Sequence, residues 1–255
     1  MKKEVLKKVL EDELIHEHVF AEEESRFKEF IDHVRDAVLG MNDGLVEVLS
    51  VSAGLAGAYG DPLYVALGRL IVGVGGALSM GIGAFTSVRA QKQVRLGVLS
   101  RLKIVARYAA HILIEKVVNY MTRRGLREET AKVIAEEAQK RGVLDKVVAE
   151  EEYGIREERL ESPIRAGIYT GLFYVVGAFV PLTPYFAMMP VSIALPASFI
   201  MAAFMLAVMG FLIAITAELS IKIKVAELIL AGLGSATVTF AIGKLASILL
   251  GIEVG

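Results

Sequence analysis

Cysteine is absent from the 255 residues, which removes thiolate metal sites, disulfides and cysteine nucleophiles together and leaves the redox compartment open. An excess of either charge is also absent. The formal net charge is −1, so bulk electrostatics offers nothing that would draw a nucleic acid. The opening residues, MKKEVLKKVLEDEL, hold no apolar core of the about 7–15 residues that a secretory signal needs, so the first membrane helix is expected to direct insertion itself. Charge of either sign is missing from Ala166 to Ala217, a run of 52 residues. At about 1.5 Å per residue that run exceeds one crossing of a hydrocarbon core roughly 30 Å thick, and predicts two helices and a turn.

What is present accounts for a chain that is 55% hydrophobic and still 22% charged: the two kinds of residue are segregated along it. The pattern predicts an all-α polytopic membrane protein, with five transmembrane helices and a cytoplasmic helical insert between the second and third. Residues 1–35 alternate apolar and charged positions at helical spacing (Val5, Leu6, Val9, Leu10, Leu14, then Phe20, Phe27, Phe30, Ile31) and read as an N-terminal amphipathic cytoplasmic helix. Residues 36–88 hold the first two spans, Ala37–Tyr59 and Leu63–Val88, separated by the turn Gly60-Asp61-Pro62. The insert, 89–162, reads as helices over Gln91–Tyr120, Glu128–Arg141 and Leu144–Tyr153, the first closed by Arg123-Arg124-Gly125. Residues 163–251 hold the last three spans, Ile164–Pro181, Val191–Ala217 and Leu228–Leu250, with Pro181, Pro184 and Pro190 marking the re-entry. Loop Lys and Arg number seven in the N-terminal arm, sixteen in the insert and two (Lys222, Lys224) before the last span, against none in the alternate loops or at the C-terminus. The positive-inside rule then puts the N-terminus and the insert in the cytoplasm and the C-terminus outside.

Two carboxylates interrupt the first span. Asp43 and Glu47 are four residues apart and share a helix face, which Ser50 and Gly54 would continue. Carboxylates inside a membrane are costly and usually line a polar pathway; the alternative for Asp43 is a hydrated interfacial position. Asp43 lies about 9 Å and Met80 about 12 Å inside the inner ends of their antiparallel helices. A hard oxygen and a soft thioether at similar depth favour a transition metal over calcium or magnesium, although a lone Met is more often core filler. Gly40 and Gly44 form a GxxxG pair, and Gly73, Ala77 and Gly81 repeat small residues every four, a surface for close helix contact within the chain or across a dimer. Glu13-Leu-Ile-His16 has the spacing of a carboxylate di-iron helix but occurs once, so a solvated charged helix is the expectation. His111 and Glu115 read as a polar i,i+4 contact, Met201, Met205 and Met209 as a packing or lipid stripe, and Arg69 and Lys244 as side chains that snorkel from the outer ends of their helices.

These residues together are similar to a known family. Asp36-Ala-Val-Leu-Gly-Met-Asn-Asp-Gly-Leu-Val-Glu47 with Ser52-Ala-Gly-Leu-Ala-Gly-Ala58 resembles the first-helix signature of the vacuolar iron transporter family. Ser79-Met80-Gly-Ile-Gly with Ser87-Val-Arg-Ala-Gln91 resembles the end of its second helix, Glu151-Glu-Tyr-Gly-Ile155 and Gly177-Ala-Phe-Val-Pro-Leu-Thr-Pro184 the approach to its third helix and that helix itself, and Gly232-Leu-Gly-Ser-Ala its last helix. The resemblance, to an archaeal or bacterial-type member, runs in order over about residues 36–250. It implies a homodimer in a prokaryotic cell membrane, with a pore between the two copies of the first two helices, lined at Asp43 and Met80. It also implies export of cytosolic ferrous iron, or manganese, by proton exchange. In such a protein the metal is the cargo, and no permanently bound cofactor is expected. Glu151 and Glu152 match the family's acidic pair in the metal-collecting insert. The rest of the insert departs: its first helix has one acid, Glu115, among Lys92, Arg95, Arg101, Lys103, Arg107 and Lys116, and Ala84 stands where many members have a glutamate.

The expected partners are therefore a divalent cation, the lipid bilayer and a second copy of the chain. The leading expectation is a metal transporter with Asp43, Glu47, Met80, Glu151 and Glu152 as ligands. The alternative is a membrane-anchored metal sensor or scaffold that binds without transport. No enzyme is expected, since the spans hold no Ser/His pair, paired Asp or His-x-x-x-His arrangement.

Overall fold

The computed structural model describes residues 31–251, apart from 32, 60, 157–159 and 188. The amphipathic N-terminal helix and its Glu13–His16 pair fall outside those residues. Among them every regular element is a helix: α1 (His33–Tyr59), α2 (Pro62–Tyr108), α3 (Ala110–Arg123), α4 (Glu128–Lys140), α5 (Leu144–Tyr153), α6 (Pro163–Phe186), α7 (Val191–Thr216) and α8 (Ile221–Leu250). Five of them, α1, α2, α6, α7 and α8, are long and apolar enough to cross a membrane, in the order that the sequence predicts. Among the described residues, those from 87 to 162 form one compact unit, and those from 31 to 86 with those from 163 to 251 another.

In the larger unit α1 is the most buried of the five long helices and α2 and α8 the least. Leu45, Leu49 and Ala53 of α1 meet Ala202 and Leu206 of α7 and Ala236 of α8. On another side, Val48 meets Tyr174, Ala178 and Leu182 of α6, with Val72, Ala77 and Met80 of α2 against them. Apolar burial alone gives membrane helices little reason to associate, because lipid is as apolar as leucine; close backbone approach supplies the attraction. Glycine provides it here. A Cβ on Gly40 or Gly44 would collide with the backbone carbonyls of Thr170 and Tyr174 of α6, and one on Gly177 with that of Met41. Gly81 of α2 also packs on α6, less tightly, where a Cβ would come to 3.0 Å from the Gly167 carbonyl. Both small-residue repeats therefore pack within the chain, on α6.

Three boundaries differ from the sequence reading. First, α2 runs without interruption through Val88 to Tyr108, and the chain breaks at Ala109 (φ −146°, ψ 46°) rather than continuing to Tyr120. Neither Gly nor Pro marks that break. It lets Leu99 and Leu102 of α2 join Leu113 and Val117 of α3 in one core with Ala135, Leu144 and Val148. Second, α6 continues past Pro181 and Pro184 to Phe186. Pro184 frees the carbonyl of Val180, which accepts the Thr183 hydroxyl at 3.0 Å, while Pro181's own carbonyl accepts Ser198 Oγ and Arg69 Nη1, both at 2.7 Å. A substitute donor such as the Thr183 hydroxyl is what makes proline tolerable in a membrane helix. Third, α8 begins at Ile221, seven residues before the apolar stretch, and Lys224 pairs with Glu227 at 3.0 Å on its first turns. In the smaller unit, α5 stops where Gly154 takes the left-handed conformation (φ 63°) and returns its N–H to the Glu150 carbonyl.

Candidate functional site

Glu47 lies on the surface of α1 although the helix around it is apolar, and Asp43, one turn earlier, is half-buried. The Glu47 carboxylate is held by Tyr174 of α6, whose hydroxyl donates to Oε2 at 2.7 Å. Tyr174 is itself fully buried, and its phenol crosses α2 at Gly76, where a Cβ would overlap the ring and its oxygen. Met80, one turn further along α2, is half-buried against the same cluster of Val48, Tyr174, Ala178 and Leu182. Glu47, Tyr174 and Met80 are thereby gathered from three helices, with Asp43 one turn before Glu47 on α1. This face offers two carboxylates, a thioether and a phenol, an acceptor set suited to a partly dehydrated divalent cation of intermediate softness.

The stripe expected to run from Asp43 through Gly54 divides. Ser50 is buried and bonds Ser235 of α8 at 2.9 Å, and Thr239 donates to the Ser50 carbonyl at 2.7 Å. Gly54 lets the backbone of Gly243 approach. Those positions fasten α1 to α8 and do not continue the polar face. The methionine stripe of α7 is packing: Met209 is buried and Met205 joins the core of α1, α7 and α8.

Arg69 corrects the expectation of a snorkelling side chain. It is fully buried, its guanidinium 3.5 Å above the Tyr185 ring centroid, with Nη1 donating to Pro181; Lys244 is exposed. Neither Tyr174 nor the burial of Arg69 was foreseen from the sequence. The available signals were weak: a tyrosine in the middle of a charge-free span, and a single cation in the first turns of another.

In the smaller unit, the acidic segment at the end of α5 is engaged by bases. Glu151 pairs with Arg124 at 2.7 Å, Glu152 with Lys116 at 2.8 Å, and Glu150 with Arg156. The hydrogen bond that Lys116 donates to Glu152 holds its ammonium above its ordinary range, against a smaller opposing effect of desolvation. A cation reaching these carboxylates must displace two or three positive side chains. His111 and Glu115 line a groove of about 600 Å³ between α3 and α4 with Glu128, Lys132 and Glu136, where Glu128 is already paired with Lys132 at 2.7 Å. Among the described residues no group of three or more His, Asp or Glu is placed to hold a metal ion within the single chain.

Comparison with known proteins agrees with this layout. The sequence model of the VIT family matches residues 34–244, from the start of α1 into α8. Vacuolar iron transporter 1 of Tulipa gesneriana is 24% identical over 172 residues, 67% of this chain and 69% of its own length. Vacuolar iron transporter cccA of Arthroderma benhamiae is 28% identical over 186 residues, 70% of this chain and 64% of its own length. A shorter stretch of 70 residues is 41% identical to vacuolar iron transporter homolog 1 of Oryza sativa subsp. japonica, covering 28% and 30% of the two chains. With five apolar helices in order and a match over most of its length, this multi-pass membrane protein belongs to the VIT family.

Proposed function

We propose that the protein transports a divalent metal cation, ferrous iron foremost and manganese as the alternative, out of the cytosol in exchange for protons. The observation that carries this reading is Glu47: a carboxylate left on the surface of an apolar helix, oriented by a buried tyrosine and flanked by Asp43 and Met80. Within a membrane such a group must face water, a cation or a second subunit. A homodimer meets that requirement by setting two copies of the α1–α2 face against each other around a hydrated path. Asp43 then serves as ligand and proton carrier, Glu47 as the next carboxylate along the path, and Met80 as the soft ligand. The names of the relatives support iron as cargo. The loop charges favour a cytoplasmic insert and N-terminus and an outer C-terminus, an orientation compatible with export from the cytosol. The ion pairs at Glu151 and Glu152 weigh against the sensor reading, since they occupy the acidic pair that the resemblance would make a metal ligand.

Metal flux into proteoliposomes, iron against manganese and with or without a pH gradient, tests the proposal. Asp43→Asn keeps the side chain's size and removes its charge, so the purified, dimeric variant should lose transport. Wild-type flux through that variant would place the path elsewhere, and metal binding without flux in the wild type would make the protein a sensor.

A further inference from the structure

The outer half of the bundle holds a cation that the transport reading does not use. Arg69 follows Pro62 by seven residues and so lies about 10 Å along α2 from its outer end. It is fully buried, and a guanidinium cannot shed its proton to escape the cost of burial. Nη1 is bonded to the Pro181 carbonyl, but Nε and Nη2 have no hydrogen-bond partner among the described residues, and neither has the buried hydroxyl of Tyr185, over whose ring the guanidinium lies. Acceptors are scarce here. The carbonyl that Arg69 uses also takes Ser198 Oγ, and the surroundings of Tyr185 are Ala56 of α1, Val65 of α2 and Ala194 of α7, with Leu55, Ala66 and Leu195 beside them.

Counter-charge is scarcer still. α2, α6 and α7 contain no Asp or Glu anywhere along their lengths, and neither does α1 from Val48 to Tyr59. The acid of α1 nearest along the chain to Ala56 is Glu47, nine residues or about 13 Å back along the axis, and its carboxylate is held by Tyr174. Asp61 is exposed at the turn and accepts the Leu63 amide. Lys244, on α8, has the wrong sign. A buried positive charge with two unused N–H groups, an unused phenol O–H beside it and no acid on the neighbouring stretches of the surrounding helices requires an acceptor that these helices do not provide.

We propose that Arg69 and Tyr185 form a binding site for a small monovalent anion of halide or simple carboxylate size. The fork of Nε–H and Nη2–H grips it, the Tyr185 hydroxyl donates as a third contact, and apolar side chains of α1, α2 and α7 exclude water. Bound there, the anion neutralises the guanidinium and ties the outer ends of α2 and α6 together.

The test uses the full-length protein purified in detergent and needs no transport. Thermal unfolding is followed while chloride replaces gluconate, a much bulkier anion, at constant ionic strength. Chloride should raise the Tm by several degrees and saturate. Tyr185→Phe, which keeps the ring under the guanidinium, should weaken the half-saturating concentration several-fold, and Arg69→Gln should abolish the gain. If Arg69→Gln does not fold, Tyr185→Phe carries the test, together with an anomalous bromide peak beside Arg69 Nε in crystals grown in bromide. Equal Tm in chloride and gluconate, a gain that never saturates, or a saturating gain unchanged in Tyr185→Phe with no bromide at Arg69 would each overturn the proposal.

Discussion

Glu47 and Tyr174 are the pair on which the polar face depends. The phenol is buried and fixed, so its hydrogen bond turns a surface carboxylate toward α6. Tyr174→Phe keeps the ring packed beside Gly76 and deletes only the donor. A hydrogen bond to a charged group is worth about 1.5 kcal/mol, so the variant should unfold a few degrees earlier and carry metal several-fold more slowly. Flux and thermal unfolding measured on the same preparation check this, and unchanged flux would remove Glu47 from the path. The carboxylate itself was legible, because an acid four residues from another in an apolar run has few innocent explanations. Its partner was not, because Tyr174 lies 127 residues away and nothing near it in the chain differs from an ordinary span. Glu115 shows the reverse. It is the one acid of α3, with Lys116 next to it, and in the groove it shares with His111 the nearby Glu128 is already paired. Glu115→Gln should leave flux within about twofold of wild type, since an isolated carboxylate makes a poor dication site; loss of most transport from the folded variant would give the insert a direct role.

At the scale of elements, α6 organises the larger unit. It receives α1 at Gly40 and Gly44 and α2 at Gly81, and its tyrosine and prolines receive Glu47 and Arg69. Gly44→Ala places a methyl group against the Tyr174 carbonyl, an atom that cannot turn aside, and should cost about 3 kcal/mol, the upper end for overpacking. Chemical or thermal unfolding in detergent checks the value, and a neutral effect would mean that α1 and α6 are further apart than described. Spacing of the small residues announced close packing but not its partner, since a GxxxG surface is the same whether it meets a helix of its own chain or another subunit. The end of α2 was equally hidden. Ala109 is a good helix former, and only the shared core of Leu102, Leu113 and Val117 explains why the chain bends there.

For the molecule as a whole, the loop charges predict that reporters fused to the two ends will lie on opposite sides of the membrane, the N-terminal one in the cytoplasm. Both ends reporting from one side would end the five-span topology. The sequence by itself determined the number and order of the apolar helices. That information is one-dimensional: an apolar run long enough to cross, bounded by charge, must become a helix because lipid offers no other partner for its backbone. Only the tertiary structure decided which side chains meet. Arg69 has the look of a snorkelling residue until a carbonyl 112 residues away and the Tyr185 ring bury it, and Glu151 and Glu152 look free until Arg124 and Lys116 pair with them. Burial and pairing belong to contacts between distant segments, and local composition carries no record of them.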